Sequence, residues 1–148
     1  MARDVRGGAP FSLTAAAIIA TATQFLGQPY VWGGASAAAG FDCSGLVQWS
    51  YAQHGVELPK WARSQWDAGV EVPYAEAQAG DLVFFVDTYD VYATHGWFRP
   101  PRISHVGIYL GDGDDRFLNA NSQRGVAIDR LQGDDYWWSH YYGMRRVL

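Results

Sequence analysis

Apolar residues run almost without a break from Phe11 to Leu26, interrupted only by Thr14, Thr21, Thr23, Gln24 and Ser12. The run is short for a membrane span and reads as a core helix over about residues 12–26, capped by Ser12 and ended by Gly27 and Pro29. Arg3 and Arg6 stand before it as basic residues do in a signal peptide, but the threonines break the run and no clear signal peptide is read. Residues 1–10 read as a flexible lead-in. Tyr30-Val31-Trp32 is a short extended piece, and residues 33–40 form a small-residue loop. Leu46-Val47-Gln48-Trp49-Ser50-Tyr51 opens a second apolar run, predicting a helix over 43–54 that stops near Gly55. A short helix is expected around 63–68.

The pattern then changes to strands. Residues 81–86 and 103–110 are apolar stretches, and Gly111-Asp112-Gly113 after the second is a hairpin signal. Residues 116–120 return antiparallel, 125–128 add a further partner, and 143–148 a last strand. Helices first and an antiparallel sheet second predict an α+β fold. At 148 residues, with no repeat and no linker, residues 11–148 read as one domain. Residues 87–102 form a long loop rich in Tyr, Trp and Pro, a length that is usually functional.

Composition adds two points. The 7 Trp and 9 Tyr are many for this length and suggest a groove as well as a core. The net charge of −4 and the lack of a basic run leave nucleic-acid binding without support.

The chain holds a single cysteine, so neither an internal disulfide nor a cysteine-rich metal site is available to it. Cys43 lies in Phe41-Asp42-Cys43-Ser44-Gly45-Leu46-Val47. Asp42 is a good N-cap, which puts the thiol in a first helical turn, where unpaired N–H groups stabilise negative charge. A nucleophilic cysteine needs a base and a third group to orient it. Of the four histidines, His105 is set near the start of an apolar strand, Ser104-His105-Val106-Gly107-Ile108-Tyr109. Gly107 shares its face and is expected to leave room there for a substrate. His54 reads as a helix-end residue, His95 lies in the long loop, and His140 in an aromatic cluster. Across the hairpin, Asn119 or Asn121 could accept the imidazole N–H and fix its tautomer. Asp112, Asp114 and Asp115 fit no EF-hand spacing and read as a polar turn; no metal or other cofactor is expected.

Together these segments resemble the NlpC/P60 family of cell-wall cysteine peptidases. The resemblance rests on five segments in order. They are Gly27-Gln28-Pro29-Tyr30-Val31-Trp32-Gly33-Gly34, the Asp-Cys-Ser-Gly segment, Arg63-Ser64-Gln65, Gly80-Asp81-Leu82-Val83-Phe84-Phe85 and Ser104-His105-Val106-Gly107. It implies a papain-like core with N-terminal helices packed on a central antiparallel sheet, and hydrolysis of peptidoglycan stem peptides at the D-γ-glutamyl–diamino acid bond. It implies Cys43 as nucleophile, His105 as base and Asn119 as the third polar residue, where the family often has His. It also implies Tyr30 near the substrate or oxyanion, and Asp42 and Ser44 at the free amino end of a stem, with Trp32, Arg63 and Ser104 as further substrate-binding candidates. The site of action would be the cell wall, with no membrane span. The long loop and the aromatic tail 136–142 are similar to phage-tail and conjugative-element members. An amidase or acyltransferase would use the same Cys–His pair, and an inactive wall-binding module would lack a working one.

Overall fold

The computed structural model describes residues 13–88 and 102–148. The expected lead-in, the Ser12 cap, His95 and most of the long loop lie outside them. The fold is α+β. Helix α1 spans Leu13–Thr23 and α2 spans Cys43–Ala52, with a two-stranded ribbon, β1 (Ala35–Ser36) and β2 (Gly40–Phe41), between them. Then come α3 (Ala62–Trp66), β3 (Val70–Val72), β4 (Leu82–Val86), β5 (Ile103–Tyr109), β6 (Arg116–Asn121), β7 (Gly125–Arg130), α4 (Asp135–His140) and β8 (Tyr141–Arg146). Six strands form one sheet in the order β3-β8-β4-β5-β6-β7, every neighbouring pair antiparallel.

The sheet is apolar on both faces, which alternation along β4 explains. Leu82 and Phe84 join Ile18, Ala22, Leu46, Val47 and Tyr51 under α1 and α2. Val83 and Phe85 join Phe117, Leu131, Trp137 and Met144 under α4. In α1 the buried positions Ala15, Ile18 and Ala22 recur at helical spacing, so the first apolar run is indeed a core helix. Tyr51 lies at the centre of the helical layer, and its hydroxyl donates to Gly80 O at 2.5 Å. Burial pushes its ionisation well above the ordinary range. Among the described residues no helix is long and apolar enough to cross a membrane.

Tyr30, at the start of the short extended piece, makes an isolated parallel bridge to Phe41. One local expectation changes: Gly107 does not open a space. A Cβ there would stand 2.8 Å from Phe117 Cδ2, 2.9 Å from Leu118 O and 3.2 Å from Asn119 Cβ. The missing side chain lets β6 close onto β5 and leaves no room for a ligand.

Candidate active site

Cys43 is the first residue of α2 and is fully buried. Asp42 caps the helix, accepting from Gly45 N at 2.7 Å through Oδ1. Its Oδ2 accepts from Gly33 N at 3.1 Å, which ties the helix start to the Gly33-Gly34 turn. The contact there is backbone on backbone: a Cβ on Gly45 would lie 1.8 Å from Gly34 O. The glycines at 34 and 45 are thus what brings the first turn of α2 against the loop that carries Tyr30 and Trp32. α2 then packs across β5 and β6, the strands bearing His105 and Asn119.

His105 is fully buried, and its Nε2 lies 2.9 Å from Asn119 Oδ1. The partners of Asn119 decide which atom donates. Its Nδ2 faces two acceptors, Asp129 Oδ2 at 2.9 Å and Ala127 O at 3.2 Å. The amide oxygen is therefore the atom turned to the ring, and Nε2–H donates to it. This fixes the neutral tautomer with its lone pair on Nδ1.

Asn121 does not touch the imidazole. It accepts from Gln123 N and Arg124 N through its oxygen and donates to Asn119 Oδ1 at 3.2 Å. Of the two asparagines that strand spacing left open, Asn119, the one the family resemblance implies, makes the hydrogen bond to His105 and Asn121 supports it. Asp129 in turn pairs with Arg124.

Three residues of this environment were not read from the sequence. Trp137 of α4 stacks on His105, ring centres 5.1 Å apart and planes 29° from parallel. Asp134 caps α4 and holds Trp137 there, accepting from Tyr136 N and Trp137 N. Asp129 anchors the Asn119 amide. The aromatic tail was a visible signal for Trp137; nothing in the sequence marked Asp129.

The other candidates fall as follows. Tyr30 is half-buried and bridges Phe41, two residues before Cys43, and Val31 N donates to Phe41 O at 2.9 Å. Trp32 is 56% exposed and contacts Trp61 at 5.9 Å. Ser44 Oγ accepts from Lys60 Nζ at 3.0 Å, and the same ammonium lies 2.8 Å from each Asp42 oxygen. Arg63 makes an i,i+4 ion pair with Asp67. Ser104 is the extra residue where the β4–β5 ladder slips, Phe85 pairing with His105 and Val86 with Ile103. Its hydroxyl bonds Thr88 Oγ1 at 2.7 Å and accepts from Thr88 N at 2.9 Å. Gln65 donates to Ser44 O and Pro59 O, stitching the segment before α3 to the cysteine turn.

His54 bonds Thr21 at the far end of α2, and His140 Nδ1 bonds Val86 O. Asp112 pairs with Arg116, and Asp115 accepts from Tyr109 and Gln132.

Residues 27–146 match the sequence profile of the NlpC/P60 family. The chain is 41% identical over 145 residues to the bifunctional muramidase/DL-endopeptidase CwlT of Bacillus subtilis, covering 98% of this chain and 39% of that protein. It is 36% identical over 131 residues to the gamma-D-glutamyl-L-lysine dipeptidyl-peptidase of Bacillus cereus, covering 88% and 36%. Among solved structures, a Staphylococcus aureus protein described as similar to lipoprotein, NLP/P60 family, superposes with a TM-score of 0.79 at 41% identity. That match covers 97% of this chain and 44% of the other. The chain spans less than half the length of each of these relatives.

Proposed function

The chain belongs to the NlpC/P60 family, and from that premise we propose that it is a peptidoglycan endopeptidase acting at the cell wall. It hydrolyses stem peptides at the D-γ-glutamyl–diamino acid bond, with residues 11–148 as one catalytic domain. Cys43 is the nucleophile, His105 the base and acid, and Asn119 the orienting residue. The observation that carries the reading is the 2.9 Å bond from His105 Nε2 to Asn119 Oδ1 on strands packed against the helix that begins with a buried, unpaired cysteine. The names of the relatives supply the substrate class.

The steps follow from the tautomer. His105 Nδ1 takes the thiol proton, and the Cys43 sulfur adds to the stem carbonyl carbon. The carbonyl oxygen becomes an oxyanion, held by the Cys43 backbone N–H at the helix start, with the Tyr30 hydroxyl as second donor. The imidazolium returns its proton to the departing nitrogen of the diamino acid. The C–N bond breaks and a thioester remains. Water, deprotonated by Nδ1, adds to the thioester, and the carbon–sulfur bond breaks to release the carboxylate and the thiol. Asn119 keeps Nε2 protonated throughout and stabilises the imidazolium.

Mass spectrometry of muropeptides from digested wall tests this directly. The wild-type protein is expected to leave new ends at the D-γ-glutamyl carboxyl and the diamino-acid amine, and Cys43→Ala to leave none. Release of the same products by the alanine variant would place the nucleophile elsewhere.

A further inference from the structure

The cysteine is flanked in sequence by a carboxylate and a hydroxyl, Asp42 and Ser44, and the space between them already holds a cation. Lys60 Nζ lies 2.8 Å from Asp42 Oδ1, 2.8 Å from Asp42 Oδ2 and 3.0 Å from Ser44 Oγ. An ammonium has three N–H donors, so all three find acceptors here. Lys60 is held in place. Its side chain is only 19% exposed, its ammonium sits 4.2 Å from the centre of the Trp61 ring, and Gln65 fastens Pro59 O to Ser44 O. Trp61 itself takes φ 80°, ψ 135°, a region costly for a side chain bearing a Cβ, and the strain persists at the residue that follows the lysine. Asp42 is fully buried and has one negative charge, with Oδ1 and Oδ2 also taken by Gly45 N and Gly33 N.

The acyl side of the stem has two residues before the scissile carbonyl. Extended, they place the first nitrogen within roughly 10 Å of the attacked carbon, at no more than about 3.6 Å per residue plus the γ-linkage. That nitrogen can come to Asp42 and Ser44. If it is a free ammonium it meets a second ammonium on a single carboxylate, where like charges in a partly enclosed site repel strongly. If it is acylated, it is a neutral amide and brings no second charge.

We propose that Lys60 sets the substrate class of this site. Its ammonium stands on Asp42 and Ser44 in place of the stem's own terminal amine, so the site favours stems whose first nitrogen is acylated, as in a stem still joined to a larger wall polymer. The inference rests on the endopeptidase reading above.

The test compares kcat/KM for L-Ala-γ-D-Glu-diamino acid with that for its N-acetyl form, each made with L-lysine and with meso-diaminopimelate, and digestion of intact wall alongside. The wild-type protein is expected to cut the N-acetyl form about tenfold or more faster. Lys60→Met, similar in length but neutral, is expected to shift that ratio about tenfold toward the free amine, through a lower KM for it. Lys60→Arg keeps the cation and is expected to keep the preference. Circular dichroism confirms that the variants fold; should Lys60→Met not fold, the wild-type ratio decides. Equal or faster cutting of the free amine by the wild-type protein overturns the role of Lys60, as does a ratio unmoved in a folded Lys60→Met. No cleavage of either peptide or of wall by the wild-type protein overturns the endopeptidase reading itself.

Discussion

At the residue scale, the central object is an amide whose orientation is set by its neighbours. Asn119 offers an oxygen to His105 because Asp129 and the Ala127 carbonyl claim its nitrogen. Removing Asn119 leaves the imidazole free to rotate or change tautomer. Asn119→Ala is expected to lower kcat about ten- to a thousandfold, as loss of an orienting residue does. Asp129 acts one step further away, as a positioning residue. Asp129→Ala removes one charge-assisted hydrogen bond to the amide, and kcat should fall about tenfold with KM nearly unchanged. Steady-state kinetics on a stem peptide check both. An equal loss in KM for Asp129→Ala would instead point to substrate contact through the neighbouring Arg124.

At the element scale, glycines decide how closely the pieces approach. Gly107→Ala places a methyl against Phe117, the Leu118 carbonyl and Asn119 Cβ. Of these contacts the carbonyl is backbone and cannot turn aside. The variant is expected to lose about 2 kcal/mol of stability by overpacking, read from urea unfolding. It should also lose activity, since Asn119 would move from His105. The helix of the cysteine and its cap were legible because the signals are local: Asp42, Ser44 and Gly45 lie within one turn. Strand β3 and helix α4 were not. Val70–Val72 is three residues long and exists only against β8, Val72 facing Met144. α4 is held by its Asp134 cap and by Trp137 packing on Phe85, Phe117 and His105, which lie far away in sequence.

At the scale of the whole molecule, Arg146 at the end of β8 is tied to Asp81, which immediately precedes β4, the neighbouring strand. Arg146 Nε donates to Asp81 Oδ1 at 2.8 Å and its terminal nitrogen to Oδ2 at 2.9 Å, while Asp81 is 2% exposed. Arg146→Ala would strand a buried carboxylate and is expected to cost about 2 kcal/mol, or roughly 6 °C in Tm. A calorimetric scan reads it. The sequence by itself determined the order of helices and strands apart from β3 and α4, the α+β class, the family and the neighbourhood of Cys43. Each of these is written in short-range periodicity, caps and turns, or in ordered motifs. Strand spacing left Asn119 and Asn121 open, the family resemblance implied Asn119, and the tertiary structure gives Asn119 the hydrogen bond to His105. The two share a strand face, so spacing alone cannot separate them, whereas the partners across β6 and β7 do. Tertiary structure alone stacked Trp137 on His105, and it alone seated Lys60 on Asp42, 18 residues earlier in the chain. Those contacts join segments distant in sequence, and a pattern of neighbouring residues carries no record of which distant charge or ring the folded chain will bring to them.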